Sequence, residues 1–243
     1  MDVTSLLAED PSAVGIFCDF DGTLSPIVDR PEDAQPVDGA VELLEKLAQR
    51  YAVVAVLSGR PLDFLRSRFP PSRVLLCGAY GRERSDHHER RMTEGWEPVA
   101  AAAVAATSHL EGVLVERKGA GVALHYRLAP HHRAEVDQIA IVLATEFELE
   151  ILPGRLVAEL VVPGPTKGDA LRSLVRERGL RSVLVAGDDV ADVGSFEAVA
   201  ELDVGSVSIA VVSEESPERL IEAADTTVNS PAELIELLKG LLN

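Results

Sequence analysis

Cysteine is scarce: the 243 residues contain two, Cys18 and Cys77. A disulfide framework does not fit that count, and both fall at the ends of predicted strands, as buried thiols in a reducing cytoplasm would. No apolar run approaches the roughly 20 residues that a membrane-spanning helix needs. The start, Met1-Asp2-Val3-Thr4-Ser5, lacks the basic head and apolar core of a signal peptide. These absences predict a cytoplasmic protein that does not enter a membrane. Positive charge is also short, with 23 Lys and Arg against 40 Asp and Glu and a formal net charge of −17. That argues against nucleic acid and against an anionic membrane as partners. An anionic small molecule would need a locally positive site, built from a metal, a few placed cations and helix N-termini. With 47% hydrophobic residues, 18 Gly and 14 Pro, the chain suits one large domain or a core with an inserted module.

What is present is an alternation of short apolar runs and amphipathic stretches, the pattern of βα units around a parallel sheet. Strands are predicted at 14–18, 52–57 and 74–77, and helices at 37–50 and 62–69. In the first helix Asp38 is the expected N-cap, and Val41, Leu44, Leu47 and Ala48 share a face. From about Arg84 the grammar changes. An Ala-rich helix at 99–110 precedes alternating strands at 113–116 and 122–126, joined by the turn Lys118-Gly119-Ala120-Gly121. A helix at 130–147 and a hairpin of 148–152 with 156–160 repeat the unit, which implies a small antiparallel sheet with helices on one face. After Val162-Pro163-Gly164-Pro165 the first grammar resumes, with helices at 167–178, 193–200 and 231–242 and strands at 182–186 and 207–211. The expected fold class is α/β: a doubly wound parallel-sheet core from residues 1–83 and 162–243, with an α+β cap inserted over 84–161.

The polar motifs fall at the carboxyl ends of the predicted parallel strands, where open sheets bind ligands. Asp19-Phe20-Asp21-Gly22-Thr23-Leu24 directly follows the first strand. Two carboxylates one residue apart at the end of a buried strand are costly unless compensated, and Mg²⁺ with a phosphoryl group would do so. Asp19 is then the nucleophile. Asp21 protonates the leaving alkoxide and later takes a proton from water. Gly22 permits the sharp turn, and Thr23 is expected to hydrogen-bond the loop. Ser58-Gly59-Arg60 ends the second strand, where a hydroxyl, backbone N–H groups and a guanidinium can hold a phosphoryl oxygen, although the tripeptide is also a common turn. Lys167 opens a helix against its macrodipole, a placement that the Asp19 carboxylate and a bound phosphoryl group would justify. Gly187-Asp188-Asp189, with Asp192 three residues on, suits Mg²⁺. Asp188, the Asp19 side chain and the Asp21 carbonyl are the expected direct ligands, with Asp189 and Asp192 behind them. An acidic first helical turn would also account for Asp192. The implied reaction is phosphoryl transfer through an aspartyl-phosphate.

These four motifs, in this order, resemble the haloacid dehalogenase-like phosphatase superfamily. Over nearly its whole length the chain is similar to the trehalose-6-phosphate phosphatase family within it. Gly78-Ala79-Tyr80-Gly81 resembles that family's glycine-aromatic turn into the cap. Val115-Glu116-Arg117-Lys118, with His125-Tyr126-Arg127, resembles its cap hairpin, and Glu159 stands at the place of its cap glutamate. The resemblance implies a Mg²⁺-dependent hydrolysis of trehalose 6-phosphate to trehalose and inorganic phosphate. It implies that Glu116, Lys118 and Glu159 bind the distal glucose, with Gly59, Arg60 and Arg127 as further substrate contacts. It also implies a functional pairing with a trehalose-6-phosphate synthase. The chain departs from the family pattern in having Ala191-Asp192-Val193 for Thr-Asp-Glu, Thr166 for Asn and Tyr80 for His. Two other readings stand beside this one. One is a phosphatase for another sugar phosphate, such as a pseudo-disaccharide or glucosylglycerate ester. The other is a sugar-phosphate-binding regulator without catalysis, against which the intact Asp19, Asp21, Lys167 and Asp188 weigh.

Overall fold

A computed structural model describes residues 3, 10–87, 97–118, 121–154, 156–214 and 216–243. In chain order the strands among them are β1 (Val14–Cys18), β2 (Val53–Leu57), β3 (Leu75–Gly78), β4 (Glu83–Arg84), β5 (Leu114–Lys118), β6 (Gly121–His125), β7 (Glu150–Gly154), β8 (Val157–Val161), β9 (Ser182–Gly187), β10 (Gly205–Val211) and β11 (Thr226–Val228). The α-helices are α1 (Ala40–Arg50), α2 (Leu62–Arg68), α3 (Glu97–Thr107), α4 (Arg133–Phe147), α5 (Lys167–Arg178), α6 (Val190–Ala200), α7 (Glu218–Ala223) and α8 (Pro231–Lys239).

The larger sheet runs β11–β10–β9–β1–β2–β3–β4, parallel throughout except for β4. Strands β1 and β2 carry no polar side chain and are buried from end to end because helices cover both faces of the sheet. Val14, Ile16 and Cys18 pack toward Leu44 and Leu47 of α1 and Leu234 and Leu238 of α8. Phe17 points the other way, toward Leu171 and Leu174 of α5 and Val193 and Phe196 of α6. This is the doubly wound α/β architecture. Strand β1 pairs with both β2 and β9, so the sheet's order reverses there and leaves a crevice at the strands' carboxyl ends.

The smaller sheet is antiparallel, in the order β5–β6–β8–β7. Helices α3 and α4 cover one face, where Val99, Ala103, Val136 and Leu143 meet Val122, Leu124 and Leu160. The two-residue period of a strand turns the alternate positions the other way. Ala123 lies directly opposite Glu116 on one neighbour and Glu159 on the other, so the uncovered face carries two carboxylates either side of a methyl group.

Element edges differ from the sequence reading for local reasons. Helix α1 starts at Ala40 because Gly39, at φ 80°, occupies the N-cap position expected of Asp38. Helix α6 starts at Val190, three residues early, because Asp189 caps it and Asp192 closes a capping box. Strand β4 carries the larger sheet as far as Arg84, the residue at which the change of grammar is expected. Helix α7 and strand β11 fall where no element is expected. Residues 1–2 and 4–5 of the N-terminal stretch, and residues 119 and 120 of the expected hairpin turn, lie outside the described residues. Among the described residues no helix is long and apolar enough to cross a membrane.

Candidate active site

Asp19 follows β1 and is tied to β9, its N–H donating to the Ala186 carbonyl at 2.9 Å. The chain then turns at Gly22, whose φ of +78° favours glycine. A Cβ at that position would stand 2.0 Å from the Asp188 carboxylate, so the close approach of the two loops also excludes a side chain. Backbone groups close the turn, with Gly22 N–H on the Ser25 carbonyl at 2.7 Å and Leu24 N–H on the Phe20 carbonyl at 2.9 Å. That corrects the expectation for Thr23. The main chain already satisfies the loop, and the Thr23 hydroxyl is buried with no hydrogen-bond partner among the described residues.

Lys167 is the first residue of α5, and its Nζ donates to Asp19 Oδ1 at 2.6 Å and to Asp192 Oδ1 at 2.8 Å. All three side chains are buried. Asp192 Oδ2 accepts the backbone N–H groups of Asp188 and Asp189 at 3.1 and 3.2 Å. Burial pushes the Asp19 carboxyl up to about 7; Lys167 opposes the shift, while Asp192 and Asp21 add to it. Burial works against the charge of Lys167, but Asp19 and then Asp192 outweigh it and hold the ammonium above its ordinary pKa. Asp19, Asp188 and Asp192 each bring a carboxylate oxygen within 4.8 Å of the others. Three buried carboxylates around one ammonium form an oxygen-rich, electron-rich cluster, which a divalent cation fits.

The helix starts around this cluster are individually capped. Thr166 and Asp169 form a reciprocal capping box at α5, so Thr at this position retains a side-chain cap and offsets the unfavourable dipole placement of Lys167. Asp189 accepts the Val190 N–H at 2.7 Å. Val193, where the family pattern has Glu, is buried between α6 and the larger sheet.

Across the crevice, Ser58 is buried and its Oγ accepts the Arg60 N–H at 3.1 Å. That backbone donor, expected for a phosphoryl oxygen, is therefore used inside the turn, while the hydroxyl keeps its own proton to donate. The Arg60 guanidinium holds Asp21 with two bonds, Nε at 2.8 Å and Nη2 at 2.7 Å, and reaches Glu116 of β5 with Nη1 at 2.9 Å. Its Cζ lies 4.5 Å from the Phe64 ring centroid, and Glu116 also meets His125 Nε2 at 2.8 Å. Arg60 thus joins the two sheets. Glu159, buried on β8, accepts the Tyr80 hydroxyl.

Asp19, Asp21, Ser58, Gly59, Arg60, Arg127, Glu159, Lys167, Asp188 and Asp189 all line one pocket of about 130 Å³. Glu116 and Asp192 stand behind it, bonded to Arg60 and Lys167. Lys118 belongs to β5 opposite Gly121, and its side chain lies outside the described residues. Tyr80 and Ala191 also line the pocket, and sequence reasoning gave neither a role. The signal for Tyr80 was an aromatic residue set between glycines just after a strand.

A sequence model of the trehalose-phosphatase family matches residues 17–230. The chain belongs to the trehalose-phosphatase family. It is 35% identical over 257 residues to the trehalose-phosphate phosphatase of Mycobacterium leprae (strain TN), an alignment covering 97% of this chain and 58% of that protein. The chain therefore spans little more than half the length of that relative. The probable trehalose-phosphate phosphatase of Sinorhizobium fredii (strain NBRC 101917 / NGR234) is 33% identical, over 86% of this chain and 82% of that one. Among solved structures, a trehalose-6-phosphate phosphatase related protein shares 27% identity and a TM-score of 0.73, over 94% and 96% of the two chains. The C-terminal domain of a C. albicans trehalose-6-phosphate phosphatase has the same fold at a TM-score of 0.82 and 21% identity, over 100% and 97%.

Proposed function

We propose that the protein is a Mg²⁺-dependent phosphatase that hydrolyses trehalose 6-phosphate to trehalose and inorganic phosphate. One observation carries the reading: Asp19, held by Lys167 at a strand end beside the Asp188–Asp192 cluster, shares its pocket with Glu159 from the facing sheet. Residues 1–83 and 162–243 act as the catalytic core and 84–161 as the cap that reads the sugar.

Lys167 occupies Oδ1 of Asp19, so Oδ2 attacks phosphorus and the bond to the sugar oxygen breaks. Asp21 gives its proton to that oxygen, then takes one from the water that cleaves the phosphate from Asp19. For this Asp21 must leave the grip of Arg60, and an incoming phosphate is the anion able to compete for that guanidinium. Asp19, Asp188 and the carbonyl of Asp21 would hold Mg²⁺, with Asp189 and Asp192 supporting them. Bound there, it would neutralise and orient the phosphoryl oxygens. Lys167 and the Ser58 hydroxyl hold the phosphoryl group, and Glu116, Lys118, Arg127 and Glu159 bind the sugar. A cytoplasmic location fits Cys18 and Cys77, both buried free thiols. The substrate would come from a trehalose-6-phosphate synthase.

The test is phosphate release, with and without Mg²⁺, from trehalose 6-phosphate, glucose 6-phosphate and sucrose 6-phosphate. Preference for the trehalose ester supports the proposal. Equal rates on all three, or none on the trehalose ester, would refute the assignment of the sugar.

A further inference from the structure

Ala79 and Tyr80 are successive non-glycine residues in the left-handed region, at φ 48° and 60°. L-residues rarely adopt that conformation, and a bulky one persists there only where its surroundings enforce it. The enforcement comes from the phosphate-side loop. Ala79 N–H donates to the Arg60 carbonyl at 2.8 Å, and Tyr80 N–H donates to the Ser58 carbonyl at 2.9 Å. Between those two carbonyls lies Gly59, where a Cβ would stand 2.8 Å from Tyr80 Cζ. The loop lacks a side chain where the phenol ring sits.

From that seat the ring spans the crevice. Its hydroxyl donates to Glu159 on β8, and both residues are buried. Burial, then the neighbouring Glu159 carboxylate, raises the phenol well above its ordinary pKa, so it remains a donor at any working pH. The ring also walls two cavities. One is the pocket that contains Asp19, and the other, of about 270 Å³, is bordered by Leu152 of β7 and Val190, Val193 and Gly194 of α6. Nothing in the phosphoryl-transfer scheme uses this residue.

The geometry points to Tyr80 as a positioning residue for sugar recognition, its phenol fixing the Glu159 carboxylate so that the remaining acceptor positions face the substrate. The inference rests on Glu159 being a sugar-binding carboxylate. A carboxylate accepts in about four directions, and a donor anchored on one of them orients the others. Without the phenol, Glu159 loses one of its anchors, and the substrate must supply that part of its order at the expense of affinity. Neither residue has a part in the phosphoryl-transfer scheme, so the loss is expected in KM for the sugar ester and not in phosphoryl chemistry.

The experiment compares Tyr80→Phe, Glu159→Ala and the double variant, using trehalose 6-phosphate and p-nitrophenyl phosphate with saturating Mg²⁺. Tyr80→Phe should raise KM for the sugar ester about tenfold, the range of a hydrogen bond to a charged group, with kcat and aryl-phosphate turnover within about twofold. Added to Glu159→Ala it should cost less than about twofold more, because it acts through that carboxylate. Equal losses on both substrates, or losses that multiply in the double variant, would overturn the role. An unchanged KM in Tyr80→Phe beside a raised one in Glu159→Ala would overturn the inference about Tyr80 alone. An unchanged KM in Glu159→Ala would overturn the underlying reading of the cap carboxylate.

Discussion

Lys167→Met keeps a side chain of similar length and removes the ammonium that faces Asp19 and Asp192 at 2.6 and 2.8 Å. The carboxylates left behind are 7% and 3% exposed, too deep for water to replace the lost partner. Removing one member of a buried ion pair costs about 3–5 kcal/mol. In a chain of this length each kcal/mol moves the melting temperature by about 2–4 °C. The metal-free variant is therefore expected to melt about 6–20 °C below the wild type at pH 7.5. At pH 5 the deficit should shrink, because Asp19, already pushed up to about 7 from 3.8 with Lys167 in place, then holds a proton instead of a bare charge. Between those two values the folded state binds more protons than the unfolded state, so this group's contribution to stability falls as pH rises. Lys167→Met/Asp192→Asn, with one buried charge fewer, should recover part of the loss. Thermal unfolding followed by circular dichroism in EDTA, at both pH values, measures all of this. A deficit below about 1 kcal/mol, the size of an exposed ion pair, or one identical at both pH values, would refute the reasoning.

The carboxylate cluster should also report its cation directly. At about 100 times its Kd, Mg²⁺ should add about 2.7 kcal/mol of stability, raising the melting temperature by about 5–10 °C, and Asp188→Asn should abolish most of that gain. Glu116→Ala removes the β5 carboxylate that Arg60 and His125 hold. It should lower kcat/KM for trehalose 6-phosphate at least tenfold, about the worth of a charged hydrogen bond, and change aryl-phosphate turnover far less. Steady-state kinetics on the two substrates separates these outcomes, and equal losses would mean that Glu116 does not read the sugar.

The parallel sheet and its strand-end motifs were legible because their signals are local. Apolar runs of five or six residues marked β1, β2 and β9, and the polar residues immediately after them became the pocket wall. What escaped was long-range or doubly determined. Arg60 reads as a phosphate ligand in its tripeptide, yet its fork is set by Asp21 and Glu116, 39 and 56 residues away. Tyr80 and Glu159 are 79 residues apart and meet only because β8 faces the crevice. Asp189 reads as a metal residue, and Asp192 as one or as part of an acidic first turn; their joint task as the capping box that starts α6 does not show in that reading, which misplaces the helix by a turn. Thr23 misled in the opposite direction: its residue type suits a turn, but backbone bonds close that turn without it. Helix α7 and strand β11 are too short for periodicity to show, although Pro217 before Glu218 and the β-branched Thr226-Thr227-Val228 were usable hints.

The central claim is that Asp19 is the nucleophile of a trehalose-6-phosphate phosphatase. Its most direct test is Mg²⁺-dependent phosphate release from trehalose 6-phosphate by the wild type and by Asp19→Asn, with folding checked by circular dichroism. The wild type should turn over, and the variant should be slower by on the order of 10³-fold or more while remaining folded. A folded variant that releases phosphate at the wild-type rate would contradict the account.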